Sequence, residues 1–380
     1  MLTVSIDDVM GVLKLCVPYL AGCGIAIVLA VVVCIACMKM KRPTKFLVRN
    51  QAGIAALLAV VVVANLICTG PMSSLLSLLS GEGVISEESS KEAMELCQDI
   101  AEEGIVLLEN EEGVLPLDEG GKLNVFGWAS IDPCYGGTGS GAISDKAEKV
   151  SLLKGLKDAG IETNGELSKF YKDYLPQRPV LGYGNCNWTL PEPPVENYSD
   201  ELLAQAKEYS DKAMIVITRL GGEHADLPVD MTVVQYENNS DKYEDFPAGT
   251  HYLELSQSEK DMVKLVCENF EDVIVVYNGA NTLELGFCKE YEQIKGVIWC
   301  PPVGQNGFRA LGEIVSGKVN PSGHAVDTFV YDLTATPYYN NIGEFEYTNV
   351  EEFGFEANGY FTEGITRPHF VNYVENIYVG

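Results

Sequence analysis

Positive charge is scarce in this sequence. Only 26 Lys and Arg stand against 54 Asp and Glu in 380 residues, a net charge of −28. A protein that tracks a phosphate backbone needs a basic face, so nucleic acid is not expected as a partner. Histidine is scarcer still, with four residues and none at ligand spacing. The eleven cysteines are scattered without a ligand pattern, and the single CxxC pair, Cys34 and Cys37, lies in an apolar run where helix packing explains it better than zinc or redox chemistry. No metal and no cofactor is expected on these grounds. What the chain has in quantity is apolar residues, 47% of the total, which argues against disorder and for a substantial core.

The few bases are unevenly placed. Residues 1–50 hold six bases and two acids, so the remaining 330 carry 20 bases and 52 acids. Residues 15–38 contain no charge, and at about 1.5 Å per residue such a helix spans a hydrocarbon core of about 30 Å. A second uncharged stretch covers 50–81, most apolar at 52–68. Between them, residues 39–50 contain five bases and no acid. The positive-inside rule puts that segment in the cytoplasm and both flanks outside. The expected order is an extracellular stub (1–14), a transmembrane helix (15–38), a basic cytoplasmic loop (39–50), a second transmembrane helix (51–70) and a Ser-rich linker (71–88). The chain would then be a multi-pass protein of the cell membrane, with the bilayer as a partner and everything after the linker extracellular. A competing reading makes 52–68 the apolar part of a late signal sequence.

The outer body alternates strands and helices. Residues 89–103 have a helical pattern, with Ala93, Leu96, Cys97 and Ile100 on the apolar side and Gly104 placed to end it. Strands are expected at 105–108, 123–127, 213–218, 273–277 and 296–300. Helices are expected at 149–159, 201–209 (capped by Ser199 or Asp200), 257–270 and 308–316. Ser256 and Glu259 form a capping box before the third of these. Continuous apolar strands alternating with helices predict the α/β class, a mostly parallel sheet with helices on both faces.

Ligands of such sheets bind beyond the carboxyl ends of the strands. Four Gly- or Pro-rich segments fall there: WASIDPCYGGTGSG, RLGGEHADLP, NGANTLELG and PPVGQNG. In the first, Gly137, Gly139 and Ala142 fit G-x-G-x-x-A, but about nine residues separate Gly136 from the strand, and no Gly-Lys-Ser/Thr follows. A tight loop with close backbone approach is the better account of that segment than phosphate binding. The second is the sharper chemical candidate. Glu223, brought forward by two glycines, is a carboxyl group able to protonate a leaving oxygen, and Arg219 and Asp226 are placed to orient it or bind substrate hydroxyls. A solvated surface loop remains the competing account.

Five ordered segments, EEGIVLLENEEGVLPL, NVFGWAS…GGTGSG, RLGGEHADLP, VIVVYNGANTLELG and GVIWCPPVGQNG…GEIVSGKVNPSGHAVDTF, together resemble the C-terminal α/β-sandwich domain of glycoside hydrolase family 3, the β-glucosidase group. The resemblance covers roughly 90–337, and the body domain is set at 89–337. In that family the domain contributes the catalytic acid/base, a Glu in a pattern resembling G-E-x-x-D. Here this implies Glu223 as the acid/base and Asp226 as the matching Asp. His224 departs from the small residue common at its position. The resemblance also implies a β-linked glucoside or oligosaccharide as substrate and a retaining mechanism, with two carboxyl groups about 5–5.5 Å apart. The family's nucleophilic Asp lies in a separate TIM-barrel domain, in a segment resembling S-D-W. No S-D-W occurs here, and no barrel of about 250 residues fits.

Residues 338–380 hold 11 of the chain's 35 aromatic residues and end in ENIYVG, resembling the start of a longer family segment. They are expected to be an incomplete next segment that packs on a TIM-barrel domain, from missing sequence or another chain. The leading expectation is thus the acid/base-bearing part of a membrane-anchored β-glycosidase. The alternatives are an anchored, non-catalytic carbohydrate-binding or sensing protein and, more distantly, a nucleotide-binding oxidoreductase. Sequons at Asn187, Asn197 and Asn238 matter only in a glycosylating host.

Overall fold

The computed structural model describes residues 6–73, 76, 86–144, 147–182, 185–223, 225, 227–336 and 339. Most of the linker, most of the aromatic tail, His224 and Asp226 lie outside these. The chain divides into two compact units at about residue 87.

The first unit is a pair of helices, α1 (Ile6–Ala36) and α2 (Arg42–Thr69), which pack on each other. Both are long and apolar enough to cross a membrane over Lys14–Lys39 and Arg42–Thr69, and Ile25, Val28, Leu29, Ile54 and Leu57 on them are exposed. The basic stretch expected as a loop over 39–50 is mostly helix. A single 3-10 turn at Cys37–Lys39 reverses the chain, and α2 begins at Arg42. Pro43 explains the early start, because the first helical turn needs no N–H from it and its fixed φ suits the helix.

The second unit opens with α3 (Glu87–Gly104). Its inward face is not the expected one. Met94, Cys97, Gln98 and Ala101 are buried or half-buried, while Leu96 and Ile100 are exposed. Polar contacts decide the rotation: the Cys97 thiol donates to the Val303 carbonyl, and the Gln98 amide donates to Glu102 and Glu313.

A six-stranded sheet follows, built from β1 (Val106–Asn110), β2 (Lys122–Phe126), β3 (Glu162–Thr163), β6 (Lys212–Arg219), β7 (Asp272–Gly279) and β8 (Ile294–Cys300), in the order β1-β8-β7-β6-β2-β3. Strands β4 (Leu181–Gly182) and β5 (Asn185–Cys186) form a separate hairpin. All neighbours in the large sheet run parallel except β1, which is antiparallel to β8. The sheet is therefore mixed.

Period-two alternation sorts its core residues. Met214, Val216, Ile274 and Val276 enter one hydrophobic cluster, and Ala213, Ile215, Val273 and Val275 enter the other. The first face is covered by α3, α4 (Leu152–Asp158) and α8 (Phe308–Val315), the second by α5 (Gly165–Tyr174), α6 (Asp200–Tyr209) and α7 (Gln257–Asn269). Ser199 caps α6, and both halves of the Ser256–Glu259 capping box are formed at α7. The sequence pattern does not announce α5, although Asn164 caps it and Leu167 and Tyr171 bury its inner face.

On the first face α4 and α8 meet backbone to backbone. A Cβ on Gly312 would stand 2.2 Å from the Gly155 carbonyl oxygen, and a Cβ on Gly155 would stand 2.0 Å from that of Phe308. Gly312→Ala is expected to force the helices apart at a cost of about 1–3 kcal/mol. That lowers the melting temperature by about 2–4 °C per kcal/mol in a domain of this size. Thermal denaturation of the variant checks this, and an unshifted transition would show that the helices do not touch.

Candidate active site

Strand β6 leaves the sheet at Arg219. The guanidinium is fully buried, and its five N–H groups are all used. Nε donates to Tyr252 O at 2.6 Å, Nη1 to Thr218 O at 3.0 Å and Glu259 Oε1 at 2.8 Å, and Nη2 to Glu254 O at 2.7 Å and Glu259 Oε2 at 2.7 Å. Burial disfavours the charge, but the Glu259 carboxylate overcomes this and raises the guanidinium above its ordinary value. The sequence offers Arg219 two roles, orienting Glu223 or binding substrate hydroxyls. Its geometry leaves no donor for a hydroxyl, and it instead positions the loop that follows.

That loop presents Glu223. The side chain is exposed, and its Oε2 accepts the Ser140 N–H at 2.8 Å. The Glu223 carbonyl accepts the Thr138 hydroxyl at 2.9 Å, and Thr138 N–H donates to Gly221 O at 3.3 Å. Thr138 and Gly222 form a parallel bridge. The Gly-rich segment is therefore the seat of the Glu223 loop, which agrees with the close-approach account of its glycines. Two of them are required there. Gly139 has φ +61, and a Cβ on it would lie 2.5 Å from Glu223 Oε2; Gly222 has φ +151, and a Cβ on it would lie 2.6 Å from Thr138 N. Ala225 anchors the other side of the loop in a third apolar cluster with Trp188, Met231, Phe246 and Tyr252. Asp226 and His224, the remaining residues singled out in this segment, lie outside the described residues. Among the described residues, no group of three or more His, Cys, Asp or Glu could hold a metal ion.

Two further devices hold the rim: Asn278, which opens the NGANTLELG segment but has no role assigned by its pattern, and Glu192, which lies in no motif. Asn278, at the end of β7, accepts the Cys134 N–H at 2.6 Å and donates to Cys134 O at 3.2 Å and Cys300 O at 3.0 Å. One buried amide thus joins the loop after β2 to the carboxyl ends of β7 and β8. At the start of the β2 loop, the buried Glu192 accepts the Trp128 N–H at 2.8 Å and the Tyr198 hydroxyl at 2.6 Å. Tyr198 pairs with the Tyr171 hydroxyl at 2.8 Å, which accepts the Gly127 N–H at 2.7 Å. Burial dominates at Glu192 and, despite the two hydrogen bonds that favour its charge, pushes the carboxyl up to about 8. The Pro-flanked acid in LPEPPVENY was the only trace of this group in the sequence.

Two outcomes are expected. Arg219→Met leaves Glu259 buried without its counter-charge and should cost about 3–5 kcal/mol, measured by denaturant unfolding. Glu192 titrates near 4.5 when unfolded and about 8 when folded, so the folded state holds the extra proton between those values. Its contribution to stability is then fully present below about pH 4.5, declines as pH rises and is lost above about 8. The melting temperature of Glu192→Gln should fall less between pH 5 and 8 than that of the parent, and parallel curves would contradict the assignment.

The model of the glycosyl hydrolase family 3 C-terminal domain matches residues 105–369. The chain is 32% identical over 253 residues to a beta-glucosidase of Ruminococcus albus, covering 66% of this chain and 24% of that protein. It is 32% identical over 311 residues to beta-glucosidase A of Butyrivibrio fibrisolvens, covering 79% and 33%. Among solved structures, beta-glucosidase 3B of Thermotoga neapolitana superposes with a TM-score of 0.54 at 28% identity, covering 70% of this chain and 34% of that one. The chain thus spans about a quarter to a third of the length of these relatives. With its mixed α/β sheet and a family match over residues 105–369, this chain belongs to glycosyl hydrolase family 3 through its C-terminal domain.

Proposed function

We propose that the chain supplies the acid/base side of a β-glucosidase-type active site acting on β-linked glucosides. The observation that carries this reading is the placement of Glu223: an exposed carboxyl at the carboxyl end of β6, held by the Ser140 N–H on a loop whose backbone is locked to the Gly-rich segment. In a retaining mechanism Glu223 protonates the glycosidic oxygen as the bond breaks, then takes a proton from the water that releases the sugar. The second carboxylate, the nucleophile, comes from outside these 380 residues, since no S-D-W segment is present. A TIM-barrel domain facing the rim is its source. Asp226 is proposed to contact substrate hydroxyls beside Glu223.

The helix pair is proposed to anchor the chain in the cell membrane. Its basic turn would face the cytoplasm, and the α/β body would lie outside. The lengths of the two apolar helices and the five bases between 39 and 50 support this reading.

The missing S-D-W favours one other reading, an anchored protein that binds or senses carbohydrate without turning it over. One experiment separates the two. The purified chain alone should show negligible hydrolysis of an aryl β-glucoside, and supplying a family barrel domain should restore turnover. In the completed enzyme Glu223→Gln should lower turnover of an alkyl glucoside by about 10²–10⁴, and less for a leaving group that needs no proton. Appreciable turnover by the chain alone would refute the missing nucleophile. Saturable sugar binding without turnover, unchanged in Glu223→Gln, would favour the binding reading.

A further inference from the structure

The helix pair encloses a groove of about 480 Å³. Its α1 wall comes from Ile27, Val31 and Ile35, which fall on one helical face, and it ends at Met38 beside the turn. The α2 wall comes from Lys45, Arg49, Gly53 and Ala56, again on one face. Small residues create the space: a Cβ on Gly53 would meet nothing within 4 Å. From Ile27 to Met38 the groove runs about 16 Å at 1.5 Å per residue, roughly one leaflet of a hydrocarbon core of about 30 Å. Lys45 sits at the turn end, where its Nζ donates to Met38 O at 3.2 Å, and Arg49 lies one helical turn further on, so both bases occupy the turn-side half of the groove, nearest where headgroups would lie. No acid occurs between Asp8 and Glu82 to neutralise them.

The geometry points to a site for one anionic phospholipid, its acyl chain along the apolar groove and its phosphate at Lys45 and Arg49. The inference rests on the membrane-anchoring reading. An apolar groove about one leaflet long, with two cations on its turn-side wall that form no ion pair among the described residues, matches an anionic amphiphile in shape and charge. Phosphatidylcholine offsets its phosphate with a choline cation and gains less from the pair. Free phosphate gains nothing from the groove.

The test uses the full chain reconstituted in vesicles of phosphatidylcholine, alone or with a minority of phosphatidylglycerol. Flotation reports anchoring. Native mass spectrometry after detergent extraction reports retained lipid. The chain should float with both vesicles and retain one phosphatidylglycerol with a preference over phosphatidylcholine of roughly tenfold or more, at about 1 kcal/mol per base. Excess inorganic phosphate should not displace it. Lys45→Gln/Arg49→Gln removes the charge and Gly53→Leu fills the groove; both should still float and lose the preference. Lys39→Gln/Lys41→Gln, outside the groove, should keep it. Equal retention of the two lipids, displacement by phosphate, or an equal loss in the Lys39/Lys41 variant would overturn the site while leaving anchoring intact. Failure to float would overturn anchoring and the site with it.

Discussion

A guanidinium buried at the end of a central strand must have its charge and all its N–H groups satisfied, or the strand cannot end there. Arg219 meets this condition through the Glu259 carboxylate and three backbone carbonyls. Glu259 is shared: its Oε2 also accepts the Ser256 N–H that starts α7. The pair therefore locks the exit of β6 to the entry of α7 and holds the backbone of 252–254 across the gap. A buried ion pair is a weak source of net stability, because desolvation offsets most of its attraction. What it supplies here is position. Glu223 lies four residues beyond Arg219, so the start of its loop inherits the rigidity of the sheet.

The remaining freedom of that loop is removed from the opposite side. The Gly-rich segment approaches so closely that a Cβ at Gly139 or Gly222 would collide with its neighbour across the contact. Thr138 and Ser140 then use three hydrogen bonds to fix both the backbone and the carboxylate. The Gly-rich segment is itself part of the β2 loop, which is held by Asn278 and by the Glu192–Tyr198–Tyr171 chain. The proposed acid/base role of Glu223 would need its carboxyl held within a narrow range of positions. The fold meets this demand with three buried polar groups, each costly to leave unpaired and each fully committed to the rim.

The two units place their apolar side chains differently. In the α/β body, period-two strands and capped helices bury apolar side chains on both faces of the sheet. In the helix pair, apolar side chains such as Ile25 and Leu57 are exposed, the pattern on which the proposed membrane anchoring rests. The acid excess lies entirely in the second unit, and the one acid-free basic segment lies at the turn of the first.

Much of the architecture could be read from local pattern alone. The runs at 213–218 and 273–277 are strands because β-branched apolar residues dominate them, and α7 begins where its capping box says. The glycines and Glu223 of RLGGEHAD marked the site through resemblance. Tertiary structure decided the rest, because it depends on neighbours distant in the chain. The inward face of α3 follows from Cys97 and Gln98 meeting residues more than 200 positions away, against the apolar pattern. The antiparallel pairing of β1 is set by β8. Arg219 reads as a ligand-binding residue from its motif, and only the carboxylate 40 positions later makes it a buried support. Hydropathy and caps are local properties, so the sequence alone determined where most strands and helices of the α/β body lie, but not α5 or the helical start of α2. Burial and charge pairing are collective, so only the folded chain decided which polar residues stay exposed, as Glu223 does, and which are buried supports, as Arg219 and Asn278 are.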